Sequence, residues 1–426
     1  MSTSGGLIES VTAREILDSR GRPTVEADMR LEGGVLGRAS VPSGASTGRH
    51  EALELRDGDA SRFGGLGVRT AAENIANVIA PELVGRDAFD QQGVDATLVD
   101  LDGTPGRTRL GANAILAVSL ATARAAAATA GLPLWRHLAQ GQPSLPLPMV
   151  NIVSGGAHAR GGLVFQDFLV VPVGAGRYSQ ALEMVYAVRA ATESVIAERG
   201  LSTLKADEGG FGPPFDRSED ALDLLVAATR KAGFRPGEDV VFAIDVAATQ
   251  FHREGRYDAP PDGALDAAEL IALLESLVGG YPVVSIEDGL GEDDWEGWEL
   301  LTRRLGGKVQ LIGDDLFATN LARLERGIDA GVANAVLVKM NQVGTLTETI
   351  AVIDRARRAG YATVVSARSG ETEDSFIADL AVATGAGQIK IGSLAQSERL
   401  AKYNQLLRIE EELGPEAAFS GSVILR

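Results

Sequence analysis

The chain contains no cysteine, which excludes disulfides, thiolate metal ligation and a cysteine nucleophile. It is also short of positive charge: 40 lysines and arginines face 58 aspartates and glutamates, a formal net charge of -18. No basic footprint for nucleic acid or an anionic membrane surface follows from such a balance, so any anionic ligand must be held by a local pocket carrying its own cations. The opening residues MSTSGGLIES lack the basic and apolar regions of a signal peptide, and a cytoplasmic location is expected. Long apolar runs are missing as well. The nearest to one, AILAVSLATARAAAATAGL, is built of alanine rather than leucine or isoleucine and contains Arg124, as a buried helix of a soluble protein would.

What is present is ample core. At 426 residues with 45% hydrophobic content, the chain exceeds one ordinary domain of ~100 to 200 residues. Up to about residue 135, alternating stretches such as TVEADMRLEG and VLGRASVP predict an antiparallel meander. A helical run from Gly111 to Ala130 follows, stopping at Gly131-Leu-Pro133. The proline-rich QPSLPLPMV marks the boundary, giving an N-terminal α+β domain over residues 1–139 and a second domain over 140–426.

In the second domain the pattern becomes periodic. Apolar β-branched runs each end in a polar residue and are followed by a helical segment. VVFAID ends at Asp245, VVSIED at Glu287, VQLIGDD at Asp314, AVLVK at Lys339, ATVVSARS at Arg368 and QIK at Lys390. Apolar strands joined by helices imply a parallel sheet, and so many units favour closure into an α/β barrel whose C-terminal strand ends share one mouth.

A single carboxylate at a strand end is commonly a helix cap. Three on neighbouring barrel strands, Asp245, Glu287 and Asp314, repel one another unless a cation lies among them, and all-oxygen ligation indicates Mg2+. Lys339, beside that ion and other cations, is expected to have a lowered pKa and to act as a base on carbon. Arg368 and Ser369 offer a forked donor and a hydroxyl to a phosphate or carboxylate oxygen. The combination describes proton abstraction next to a carboxylate with the resulting charge taken up by metal. Weaker signals come from Glu208 in LKADEGGFGPP, His158 in SGGAHARGG, and the glycine-rich stretch around Ser46 and Thr47, a loop that could close over a pocket.

Taken in order, REILDSRGRPTVE, SVPSGASTG, LGANAILAVSLA, DEGGF, SIEDG, GDDLFATN, VLVKMNQVGTLTET, RSGETED and SERLAKYNQLLRIEEELG resemble enolase over essentially the whole chain. The resemblance implies an enolase-type modified (β/α)8 barrel behind the N-terminal domain, a homodimer or higher oligomer, and two Mg2+ ions. It also implies a small anionic phosphorylated or phosphonylated substrate. By matching motif, Asp245, Glu287 and Asp314 would hold one Mg2+ and Ser46 the second. Lys339 would take the C2 proton of 2-phosphoglycerate, Glu208 would help the C3 hydroxyl leave, and His158, Asp167, Arg368, Ser369 and Lys390 would contact substrate.

Four departures from the family pattern stand out. Ala367 replaces the histidine of SHRSGETED, Asp167 the glutamate of QEF, Ser154 the asparagine of the NGG loop, and Gly392 to Arg399 varies GAPARSER. They fall on the leaving-group and phosphate sides, which raises two other readings. One is a paralogue acting on a phosphonate or phosphoenolpyruvate-like substrate, such as carboxyphosphonoenolpyruvate synthase. The other is a non-catalytic binding protein with this fold, against which the intact carboxylates and Lys339 speak.

Overall fold

The computed structural model describes residues 5–44, 47–139, 141–159 and 162–421. The N-terminal domain is a meander of β1 (Ile8–Leu17), β2 (Pro23–Leu31) and β3 (Leu36–Ser40), paired antiparallel in that order, as the alternating pattern predicts. The helix Ala112–Thr129 lies across it, and 83% of that helix is buried. Its alanines let it approach closely: a Cβ on Gly37 of β3 would stand 2.2 Å from the Ala121 carbonyl oxygen. The helix is the only one among the described residues long and apolar enough to cross a membrane.

The second domain is a closed barrel of eight strands. In order around it run β4 (Leu147–Ser154), β5 (Asp167–Val171), β6 (Val241–Asp245), β7 (Val283–Glu287), β8 (Gln310–Gly313), β9 (Ala335–Val338), β10 (Ala362–Ser366) and β11 (Gly387–Gly392), which returns to β4. The wholly parallel sheet expected from the repeating units is not what forms. β5 runs antiparallel to both β4 and β6, and the described residues between β4 and β5 include no helix of the kind that usually carries a parallel crossover.

Strand alternation explains how the barrel builds its mouth. Leu169, Val171, Val241, Ala243, Ile312, Ala335, Leu337 and Val364 pack together inside the barrel, while Phe168, Phe242, Ile244, Val336 and Val365 join the outer core under the helices. Side chains two apart share a face. The inward rows therefore continue to Asp167 backwards along β5, to Asp245 on β6, and to Asp314 and Lys339 just beyond β8 and β9. One layer lower, Gln310 donates to the Ser285 hydroxyl and exchanges hydrogen bonds with Gln388.

The N-terminal domain covers part of this mouth. Ser43 and Gly370 exchange backbone hydrogen bonds of 2.8 and 2.9 Å, the Ser19 N–H donates to Glu371 O at 2.7 Å, and the Arg20 guanidinium donates to Ser43 O. A Cβ on Gly370 would lie 2.4 Å from an Asp18 carboxylate oxygen and 2.7 Å from Ser43 O. Gly370→Val is expected to destabilise the protein by ~1–3 kcal/mol through overpacking, read as a lower denaturant midpoint. An unchanged midpoint would mean that the seam yields freely.

Candidate active site

Register brings the predicted residues together. Asp167 pairs with Asp245 and Asp245 with Glu287, so three carboxylates stand side by side on β5, β6 and β7. Asp167 is the first residue of its strand, yet it shares the mouth with residues that end theirs because β5 is reversed. Asp314, Lys339, Arg368, Ser369, Lys390, Glu208 and His158 line the same cavity. Ser46 falls outside the described residues.

Lys390 Nζ lies 2.7 Å from carboxylate oxygens of both Asp245 and Glu287, and Lys339 Nζ donates to Asp314. Burial drives the Glu287 pKa far up, and Asp245 adds to it by repulsion. Lys390 supplies the cation that a buried carboxylate pair of this kind needs, and the group of carboxylates among the described residues close enough to share one ion is Asp288, Asp314 and Asp315, an all-oxygen set that suits Mg2+. The expected lowering of the Lys339 pKa is corrected. Burial is the largest single influence and pulls it down, but the surrounding carboxylates, Asp314 foremost and Glu287 with it, together turn the net direction up. The expectation rested on a divalent cation beside the amine, whereas the amine here meets the Asp314 carboxylate.

The leaving-group side is a second cluster. His158 Nδ1 lies 3.0 Å from Asp167 Oδ2, and Nε2 lies 3.7 Å from Glu208 Oε1. Burial works against the imidazolium, but the charges of Asp167 and Glu208 hold His158 up to about 9. Burial also raises Glu208, yet His158, Arg399, Lys390 and Lys339 more than cancel it, so this carboxyl sits below its ordinary range. Asp167 accepts from Asn151 Nδ2 at 2.6 Å and Ser154 Oγ at 3.0 Å. Ser154 occupies the position where the family pattern has asparagine, and its hydroxyl reaches the shortened acid. Ala367 leaves a methyl on the cavity wall.

The acids of the SGETED loop do more than cap a helix. Glu371 accepts from the Arg368 N–H at 3.0 Å and pairs with Lys402 at 2.8 Å. Asp374 accepts from the Phe376 N–H at 2.8 Å and pairs with Arg124 at 2.7 Å, which ties the loop to the first domain. Arg399, wholly buried, donates to the carbonyls of Arg368, Ile391 and Ser369.

Several site residues escaped the sequence reading. Asp288 accepts the N–H groups of Asp314 and Asp315 at 2.9 and 2.8 Å. Burial and the neighbouring acids push Asp288 well up and Asp315 to about 8. The doubled acids in SIED and GDD were the available signal. Gln166 bonds Asp245 at 3.0 Å, and Gln342 bonds Asp314 at 2.9 Å. Glu51 pairs with Arg368 at 2.8 Å across the domain seam. Nothing in local sequence distinguished these three.

Two family models match the chain: "Enolase, N-terminal domain" over residues 8–138 and "Enolase, C-terminal TIM barrel domain" over residues 142–426. A curated protein named Enolase from Acidothermus cellulolyticus is 56% identical over 420 residues, covering 97% of this chain and 96% of that protein.

Proposed function

The chain belongs to the enolase family, and we infer from this that it is a lyase of the phosphopyruvate hydratase type, reversibly dehydrating 2-phosphoglycerate to phosphoenolpyruvate. The observation that carries this reading to the site is the gathering of Lys339, Asp245, Asp314 and the His158–Glu208 pair around one cavity. Lys339 is the base for the C2 proton. To act, its ammonium must leave Asp314 and give up a proton. Glu208 and His158 handle the departing C3 hydroxyl on the other side: both line the cavity, and the cationic imidazole beside the carboxylate supplies a proton that can pass through it as C–O breaks. Asp167 orients His158 and stabilises its charge. Arg368 and Ser369 bind the phosphate, with the forked guanidinium matched to its oxygens, and Lys390 balances the buried carboxylates and contacts substrate.

Asp245, Glu287 and Asp314 would hold one Mg2+, and the family motif assigns Ser46, outside the described residues, to a second. The metal, when bound, neutralises the charge that develops on the substrate carboxylate as the C2 proton leaves. Family membership supports a soluble glycolytic role, and with it a homodimer in the cytoplasm. The phosphonate-handling alternative gains no support from these relatives, and Asp167 keeps its His158 contact despite its shorter side chain.

The test is direct. Purified protein with 2-phosphoglycerate and Mg2+ is expected to generate phosphoenolpyruvate absorbance, to lose it on chelation, and to regain it when Mg2+ is restored. Absence of signal at saturating substrate and metal would overturn the reading.

A further inference from the structure

Arg368, assigned above to the substrate phosphate, already holds an anion. Its two terminal nitrogens donate to the Glu51 carboxylate at 2.8 and 3.2 Å, and the first also donates to Asn341 Oδ1 at 3.0 Å. The Glu51 side chain is 6% exposed and that of Arg368 3%. The Glu51 carboxylate is cradled further by the Gly48 N–H at 3.0 Å and by Gln342 Nε2 at 3.4 Å. Four donors around one carboxylate make an anion site, with an internal side chain as its occupant.

Glu51 belongs to a stretch without regular structure, residues 51–59. Beside it opens a cavity of about 370 Å3 lined by Pro42, Thr47, Gly48, Glu54 and Asn341, so the carboxylate has somewhere to go. We propose that Glu51 is an intramolecular competitor for the phosphate position: its carboxylate holds Arg368 until a phosphate dianion displaces it into the neighbouring space. This rests on the assignment of Arg368 to the phosphate.

The physical consequence is selectivity. Arginine pairs with phosphate through the same forked geometry that it uses with a carboxylate. A dianion brings more charge to the cradle than Glu51 does, whereas a monoanionic carboxylate brings no more and has no advantage over it. Displacement also lowers apparent affinity by the fraction of molecules in which the position is free, a reduction that removing the competitor abolishes.

Inorganic phosphate titrated calorimetrically into Mg2+-loaded protein reads this. Glu51→Gln removes the charge and is expected to tighten phosphate by about fivefold or more, whereas Glu51→Asp keeps the charge and is expected to bind more weakly than Glu51→Gln. If Glu51 merely positions Arg368, Glu51→Gln weakens phosphate or leaves it unchanged, and the proposal fails. Should Glu51→Gln not fold, hydrogen exchange on the wild-type protein decides: saturating phosphate is expected to increase exchange across residues 47–55, and unchanged or slower exchange overturns the proposal. Arg368→Gln separates the two levels. Phosphate binding as in wild type would refute the assignment of Arg368 itself, whereas lost binding there with no gain in Glu51→Gln refutes only the competition.

Discussion

Replacing Lys339 with alanine is expected to lower turnover of 2-phosphoglycerate by ~10^4-fold, the upper range for removing a positioned base, while leaving the protein folded. Lys339 is the only lysine that continues the inward row of β9, and its amine is held at Asp314 at the end of the carboxylate series. Lys339→Arg should not rescue the reaction, because a guanidinium keeps its proton at any working pH. Two measurements check this: steady-state turnover, and solvent deuterium exchange at C2 of the substrate, which isolates proton abstraction from loss of the hydroxyl. A variant retaining more than about a hundredth of wild-type exchange would remove Lys339 from the role.

Arg399→Leu is expected to be the most damaging substitution for stability among the groups at the mouth. Arg399 is wholly buried and donates to three carbonyls, those of Arg368 and Ser369 beyond β10 and of Ile391 in β11. Leucine is shorter and leaves these acceptors without donors, at ~1–3 kcal/mol for each unsatisfied group, so a loss on the order of 5 kcal/mol is expected from chemical denaturation. The same substitution withdraws a positive charge that holds the Glu208 pKa down. The acid limb of the pH–rate profile should therefore move toward higher pH in any Arg399 variant that folds. A stability change under about 1 kcal/mol would show that water or rearranged backbone replaces the guanidinium.

The sequence was informative where a chemical signal was strictly local. Asp245, Glu287, Asp314 and Lys339 each close an apolar run, and the period-2 alternation along those runs aims them inward. Asp167 was not legible this way, because it begins its strand and only the reversal of β5 brings it to the mouth; the likeness of QDF to the family's QEF was needed to identify it. The raised pKa of Lys339 shows the limit in energetic form. Which charges surround an amine can be listed from a chain of strand ends, but whether burial, Asp314 or Arg368 dominates depends on distances of a few ångströms.

Composition and pattern by themselves determined the class of protein, its antiparallel first sheet, the barrel of strands and helices, and the residue types, carboxylates and lysines, that gather at the barrel mouth. All of these follow from periodicity and from the chemistry of single side chains. Only the tertiary structure decided the direction of β5, the convergence of His158 with Asp167 and Glu208, and the seam on which Glu51 meets Arg368, residues 317 positions apart in the chain. The reason is that such contacts are made between elements whose local sequences carry no information about each other. They exist only once burial of the barrel core has fixed which strand ends face which loops.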